Sequence, residues 1–226
     1  MKRPLTLPGG RTAALFIDLQ EEHRQDRRFL AEDFDRVLAH AASLQRAARA
    51  RRIPLYHCAF VVDGAAANPP FHPLRPDGRS LFSDRDDPLT AICPEVAPAA
   101  GETLLIKNEP SAFGAASPAG ELRARGVEWL VVAGVWTEAC VDASVKDAVA
   151  LGLRVLLVKD ACASGSRAMH ETAILNLANR LYGGAVADTA AACRLIAGDT
   201  VPAWQLEGAV PFRYGYDTAS ALYQNL

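Results

Sequence analysis

Five short apolar runs set apart by helix-length stretches constrain this chain more than anything else in it. AALFIDL (13–19), IPLYHCAF (53–60), TLLIK (103–107), VEWLVVAG (127–134) and RVLLVKDA (154–161) are near-continuous in apolar residues, and GAVAD (184–188) adds a shorter sixth. Runs of this length without polar alternation read as strands buried on both faces. Between the first two, Phe34, Val37, Leu38, Ala41, Leu44 and Ala48 recur at helical spacing within 31–52. Further helices are expected over 117–125, 137–151, 166–181 and 189–197. Strands alternating with helices predict an α/β fold, a three-layer αβα sandwich around a parallel sheet.

A chain of 226 residues is sized for one such core, so 1–226 is read as a single domain. Two regions fall outside the alternation. Residues 61–100 are rich in Pro, Gly, Asp and Arg and read as a long loop that shapes a pocket. Residues 199–226 carry Trp204, Phe212, Tyr214, Tyr216 and Tyr223 without periodicity. That extension is expected to pack on a neighbouring subunit, making the protein a homo-oligomer, a dimer or tetramer.

Charge narrows the partners. A formal net charge of -2 with no Lys/Arg block supplies no field for a phosphate backbone or an anionic membrane, so neither nucleic acid nor membrane is expected. The longest apolar stretches fall well short of the roughly 20 residues that cross a bilayer. The opening MKRPLTLPGGR runs into Pro and Gly instead of an apolar h-region, which argues against a signal peptide and for the cytoplasm. The five cysteines, 58, 93, 140, 162 and 193, contain no C-x-x-C pair, so neither a disulfide framework nor a zinc ribbon is expected.

Parallel sheets place their chemistry at the carboxyl ends of their strands. Asp18 ends the first run, Lys107 ends the third, and Cys140 opens the helix after the fourth. In VVAGVWTEACVDASVKDA (131–148), Thr137 is the expected N-cap, with Cys140 in the first turn. A thiol there sits at the positive end of the helix dipole, which favours thiolate, and a nearby lysine favours it further. The same turn offers unpaired backbone N–H groups, the material of an oxyanion hole. Each residue also has a plain reading: Cys140 as a small core hydrophobe, Asp18 as a turn cap, Lys107 as a solvated strand end. Their convergence on one sheet edge favours the functional one.

FIDLQ (16–20), KNEPSAF (107–113), AGVWTEACVDASVKDAVALGLRVLLVKDACAS (133–164) and MHETAILNLA (169–178) resemble the isochorismatase-like cysteine hydrolases in order and spacing, over about 13–197. The resemblance implies a six-stranded sheet of order 3-2-1-4-5-6 and a catalytic triad of Asp18, Lys107 and Cys140. It also implies a cis Val135–Trp136 peptide and an oxyanion hole from the Trp136 and Cys140 backbone N–H groups, with the Trp136 ring lining the substrate pocket or simply packing. The activity implied is hydrolysis of a non-peptide C–N bond in a small amide, ureide or carbamoyl compound through a thioester, without a cofactor.

Nicotinamidase-like relatives add a metal held by an Asp and histidines in a D-x-H pattern. Here Asp63 is not followed by histidine at that interval, and His57 and His72 alone make no ligand set, so no metal is expected. His23, His40 and His170 are read as structural, and Arg75, Arg79 and Arg85 as solvated loop charge. The competing readings are a metal-assisted nicotinamidase-type deamidase and a non-catalytic scaffold that uses Cys140 for thiol-based binding or redox sensing. No G-x-S-x-G elbow, dinucleotide loop or Walker A motif is present.

Overall fold

The structure, a computed structural model, describes residues 1–64, 72–208 and 213–226. Strands β1 (Lys2–Leu5), β2 (Thr12–Ile17), β3 (Leu55–Phe60), β4 (Thr103–Lys107), β5 (Trp129–Val135), β6 (Arg154–Ala163), β7 (Ala185–Ala187) and β8 (Val201–Trp204) form one sheet. Its order is β1-β8-β7-β6-β5-β2-β3-β4. The six expected strands are β2 to β7, all parallel and in the expected order.

The sheet nevertheless has eight strands, not six. β8 pairs antiparallel with β7, and β1 antiparallel with β8, in a register that sets Pro4 opposite Pro202. A proline in each of these two four-residue strands, the edge strand β1 and its neighbour β8, hides them from a reading by periodicity, since proline argues against a strand interior.

Helices α1 (Glu22–Gln25), α2 (Phe34–Ala50), α3 (Ala119–Ala124), α4 (Asp142–Ala150), α5 (Arg167–Ala178), α6 (Thr189–Ala197) and α7 (Ala219–Asn225) cover the sheet. Alternate side chains of one strand feed two cores. Ala14 and Phe16 join Val37, Leu38 and Leu44 of α2 and Leu195 of α6. Ala13, Leu15 and Ile17 join Leu122 of α3, Val145 of α4 and Ile174 of α5. Because both faces are covered, β2 is buried at all of its positions, and this gives its unbroken apolar sequence.

Strands β5 and β2 meet where Gly134 faces Ile17. A Cβ at Gly134, whose φ is +137°, would lie 2.1 Å from the Ile17 carbonyl oxygen. Only glycine permits that approach, which brings the end of β5 against the end of β2.

Within 72–100 the expected loop holds short 3-10 turns at Pro88–Thr90 and Pro94–Val96; residues 65–71 lie outside the described residues. Buried polar side chains tie this loop to the sheet. Gln20 donates to the carbonyls of Phe60 (3.0 Å) and Thr90 (2.7 Å) and accepts from the Phe60 N–H (2.8 Å). Glu22 accepts from the Ser83 N–H at 2.8 Å and its hydroxyl at 2.5 Å.

In the extension, Trp204 lies in β8, Tyr214 bonds Asn176 at 2.9 Å, and Tyr223 bonds His170 at 3.0 Å. These aromatics pack on their own chain, whereas Tyr216 is fully exposed and Phe212 lies outside the described residues. Among the described residues no helix is long and apolar enough to cross a membrane.

Candidate active site

Asp18 follows the last residue of β2 with φ at +50°, a left-handed conformation that aspartate tolerates better than most residues. Lys107 is the last residue of β4. Cys140 lies in a single π turn, Thr137–Val141, between β5 and α4. With β4, β3, β2 and β5 adjacent and parallel, all three residues stand at one carboxyl edge. Lys107 Nζ donates to Asp18 Oδ2 at 2.7 Å and to the Glu109 carbonyl at 3.3 Å. The pair is nearly sealed from solvent, with side chains 1% and 3% exposed. Asp18 Oδ1 has no conventional hydrogen-bond partner among the described residues. The Cys140 thiol feels the charges of both side chains, and the residue as a whole is half-buried.

The electrostatics correct one expectation. Burial, reinforced by the Asp18 charge and offset in part by Lys107, pushes the Cys140 thiol up to about 12. Desolvation and the neighbouring carboxylate thus favour the thiol, against the thiolate that a helix start alone suggests. Burial also raises Asp18 above the usual carboxylate range, against the lowering effect of Lys107. Burial alone would lower Lys107, but the anionic forms of Asp18, Cys140 and Cys58 outweigh it and raise the ammonium. Moving the proton from sulfur to Asp18 leaves the net charge of the three groups unchanged. Such a transfer avoids burying any new charge.

The Val135–Trp136 peptide is cis. Trp136, not the expected Thr137, occupies the N-cap position of the turn. Thr137 is instead fully buried and its hydroxyl donates to the Ala163 carbonyl at 2.8 Å. No acceptor among the described residues pairs with the Trp136 backbone N–H. The indole is fixed on two sides. Its Nε1 donates to His23 Nδ1 at 3.1 Å, and a Cβ at Gly165 would come within 2.7 Å of its ring. His23 Nδ1 also lies 3.2 Å from the Phe29 carbonyl oxygen, so the indole and the carbonyl compete for this one nitrogen, the first needing it bare and the second protonated; burial lowers the pKa of the ring.

Several neighbours carried no motif. The Phe60 ring lies 4.7 Å from Lys107 Nζ, and His72 and Phe82 extend that aromatic wall with centroids 4.3 Å apart. Period-2 strand patterns say nothing about such ring contacts, although Gln20 in FIDLQ pins the backbone of Phe60. His57 is engaged by Glu102 at 2.9 Å. Arg75, Arg79 and Arg85 pair with Asp87, Asp84 and Asp63, so they are paired loop charges. Donor atoms of Glu21, Cys93 and Glu95 gather within 4.8 Å of one another, but both glutamates are already paired with Arg24, at 2.5 and 2.8 Å.

The family model described as the isochorismatase domain matches residues 12–191. Maleamate amidohydrolase of Pseudomonas putida is 39% identical over 100 residues, 44% of this chain and 46% of that one. N-carbamoylsarcosine amidase of an Arthrobacter species is 26% identical over 165 residues, 67% of this chain and 59% of that one. The chain thus spans about half the length of these curated relatives. A cysteine hydrolase from Pseudomonas syringae superposes with a TM-score of 0.73 at 22% identity, covering 87% of this chain and 99% of that one, a likeness of fold. With the family model spanning most of its length and the sheet order in agreement, the chain belongs to the isochorismatase domain family.

Proposed function

We propose that the protein is a cysteine-dependent hydrolase of a C–N bond in a small amide, ureide or carbamoyl compound. The observation that carries this reading is the buried Lys107–Asp18 ion pair at 2.7 Å beside a thiol that interacts with both partners. Asp18 takes the Cys140 proton as the sulfur attacks the substrate carbonyl, and Lys107 stabilises the charge that develops on sulfur. The carbonyl oxygen becomes an oxyanion, which the Trp136 and Cys140 backbone N–H groups receive. On collapse of this intermediate the C–N bond breaks, and protonated Asp18 gives its proton to the leaving nitrogen. A thioester remains on Cys140. Asp18, again a carboxylate, draws a proton from water as the water attacks the thioester, and the acid product leaves with the thiol restored.

The names of two relatives, an amidohydrolase of maleamate and an amidase of N-carbamoylsarcosine, support carbonyl carbon bound to nitrogen as the target. The wall of Phe60, His72 and Phe82 with the Trp136 ring would line the substrate. Five free cysteines suit a reducing cytoplasm. Leu104 and Ile106, exposed on edge strand β4, suit self-association.

The test is ammonia or amine release over a panel of primary amides, ureido acids, N-carbamoyl amino acids and small lactams, with wild type and Cys140→Ala. Turnover of at least one member that disappears in the variant is expected. Equal turnover by the variant would sink the mechanism.

A further inference from the structure

Thr137, the first residue of the turn that carries Cys140, sits in a hydrogen-bond chain whose direction follows from chemistry alone. Its Oγ1 lies 2.8 Å from the Ala163 carbonyl oxygen and 2.9 Å from His170 Nδ1. A carbonyl only accepts, so the single hydroxyl proton goes to Ala163 and His170 must donate from Nδ1. His170 Nε2 then carries no proton in the neutral ring and, 3.0 Å from the Tyr223 oxygen, accepts the phenol proton. The chain runs from Tyr223 to His170 to Thr137 to Ala163 and joins α7, α5, the π turn and the end of β6. Burial lowers His170 to about 4, in keeping with the neutral ring this direction needs.

The far end is anchored independently. Lys159 Nζ donates to the Tyr223 carbonyl at 2.8 Å and lies 4.7 Å from its ring centroid, and the His170 and Tyr223 rings meet edge to face at 5.4 Å. Neither His170 nor Tyr223 touches the thiol. What they fix is Thr137, which is fully buried and stands between Trp136, whose N–H is one arm of the oxyanion hole in the reading above, and the sulfur three residues on.

We propose that His170 and Tyr223 are positioning residues, a latch by which α7 holds the nucleophile turn. This rests on the hydrolase reading for its effect on turnover, but the latch acts on Cys140 whether or not the right amide is in hand. A turn that relaxes by even ~1 Å misplaces sulfur and oxyanion donors relative to a bound carbonyl, at a loss of up to about 100-fold in rate. Because binding elsewhere in the pocket is untouched, the loss falls on kcat and not on KM.

The variants are Tyr223→Phe, which removes one hydroxyl and keeps the ring, His170→Ala, and His170→Asn, whose amide N–H stands where Nδ1 stands and can still donate to Thr137. Two readouts are taken on the full chain at a temperature where circular dichroism shows it folded. The first is kcat and KM with the best amide from the panel. The second is the rate of Cys140 alkylation by iodoacetamide, followed by peptide mass spectrometry, which needs no substrate. His170→Ala is expected to lower kcat by roughly ten- to a hundredfold with KM within about twofold, and Tyr223→Phe by several-fold. It should also change the alkylation rate by more than about threefold, with His170→Asn restoring most of both losses. If Tyr223→Phe and His170→Ala melt at lower temperature yet leave alkylation and kcat at wild-type values, the chain is packing only and the latch is overturned; Tyr223→Phe decides the matter even if His170→Ala does not fold. Absence of any amide turnover by wild type would count against the hydrolase reading, while the alkylation rates would still decide the latch.

Discussion

Replacing Lys107 by methionine keeps the length of the side chain and removes its charge, leaving Asp18, only 2% exposed, without its partner at 2.7 Å. Breaking a buried ion pair by deleting one member costs about 3–5 kcal/mol, because the remaining charge is neither solvated nor paired. Asp18 can limit that cost by taking a proton. Its pKa is already raised by burial against the pull of Lys107, so losing the lysine raises it further. A carboxyl whose folded pKa exceeds its unfolded value keeps its proton longer in the folded chain, and stability falls as pH rises from the unfolded value through the folded one. The deficit of Lys107→Met relative to wild type should therefore be small near pH 5 and grow with pH by up to about 1.4 kcal/mol per unit until Asp18 ionises. Urea denaturation of both proteins at several pH values between 5 and 8 measures it. A deficit that is flat with pH, or below about 1 kcal/mol at pH 8, would refute the idea that Lys107 neutralises a buried carboxylate. In the same variant Asp18 is protonated over more of the neutral range, so the acid limb of kcat/KM moves to higher pH.

Iodoacetamide alkylation of Cys140 in wild type should keep accelerating above pH 9, where an ordinary thiol levels off, because the thiol stands at about 12 and the thiolate fraction rises about tenfold per pH unit up to that value. A plateau near pH 7 would show a resting thiolate instead. Gly134→Ala sets a Cβ 2.1 Å from the Ile17 carbonyl oxygen, and the forced separation of β5 from β2 should destabilise by about 2–5 kcal/mol in chemical denaturation; a loss of no more than about 0.5 kcal/mol, the scatter of surface changes, would contradict the close approach. Gly165→Val drives its side chain into the Trp136 ring, which a Cβ alone would approach to 2.7 Å; KM for the best amide should rise severalfold while the melting temperature changes little, and an unchanged KM would place the ring outside the pocket. Leu44→Ala, at a fully buried position of α2, should cost about 2–5 kcal/mol without altering KM, and an altered KM would tie that core to the site.

Much of this was legible in the sequence because buried parallel strands announce themselves. β2, β5 and β6 are apolar on both faces, and the residues that break the pattern at their ends, or at the end of β4, are Asp18, Lys107 and the turn to Cys140. The two added strands were not legible, since β1 and β8 are four residues each with a proline. The state of the sulfur was also out of reach. A helix start argues for thiolate, and only three-dimensional burial beside Asp18 reverses the sign. His23 and His170 looked structural because one histidine in a helix carries no pattern. Their partners, Trp136 and the Thr137–Tyr223 pair, are 113, 33 and 53 residues away. Glu22 and Ser83 are likewise joined across 61 residues, a distance at which local spacing is silent.

The covalent step is open to direct observation. During steady turnover of the amide that wild type hydrolyses fastest, acid quenching and peptide mass spectrometry should reveal the acyl portion of the substrate on the peptide containing Cys140, and Asp18→Asn should slow its removal. Turnover that proceeds with every Cys140 peptide at its unmodified mass, and that persists in Cys140→Ala, would contradict the account.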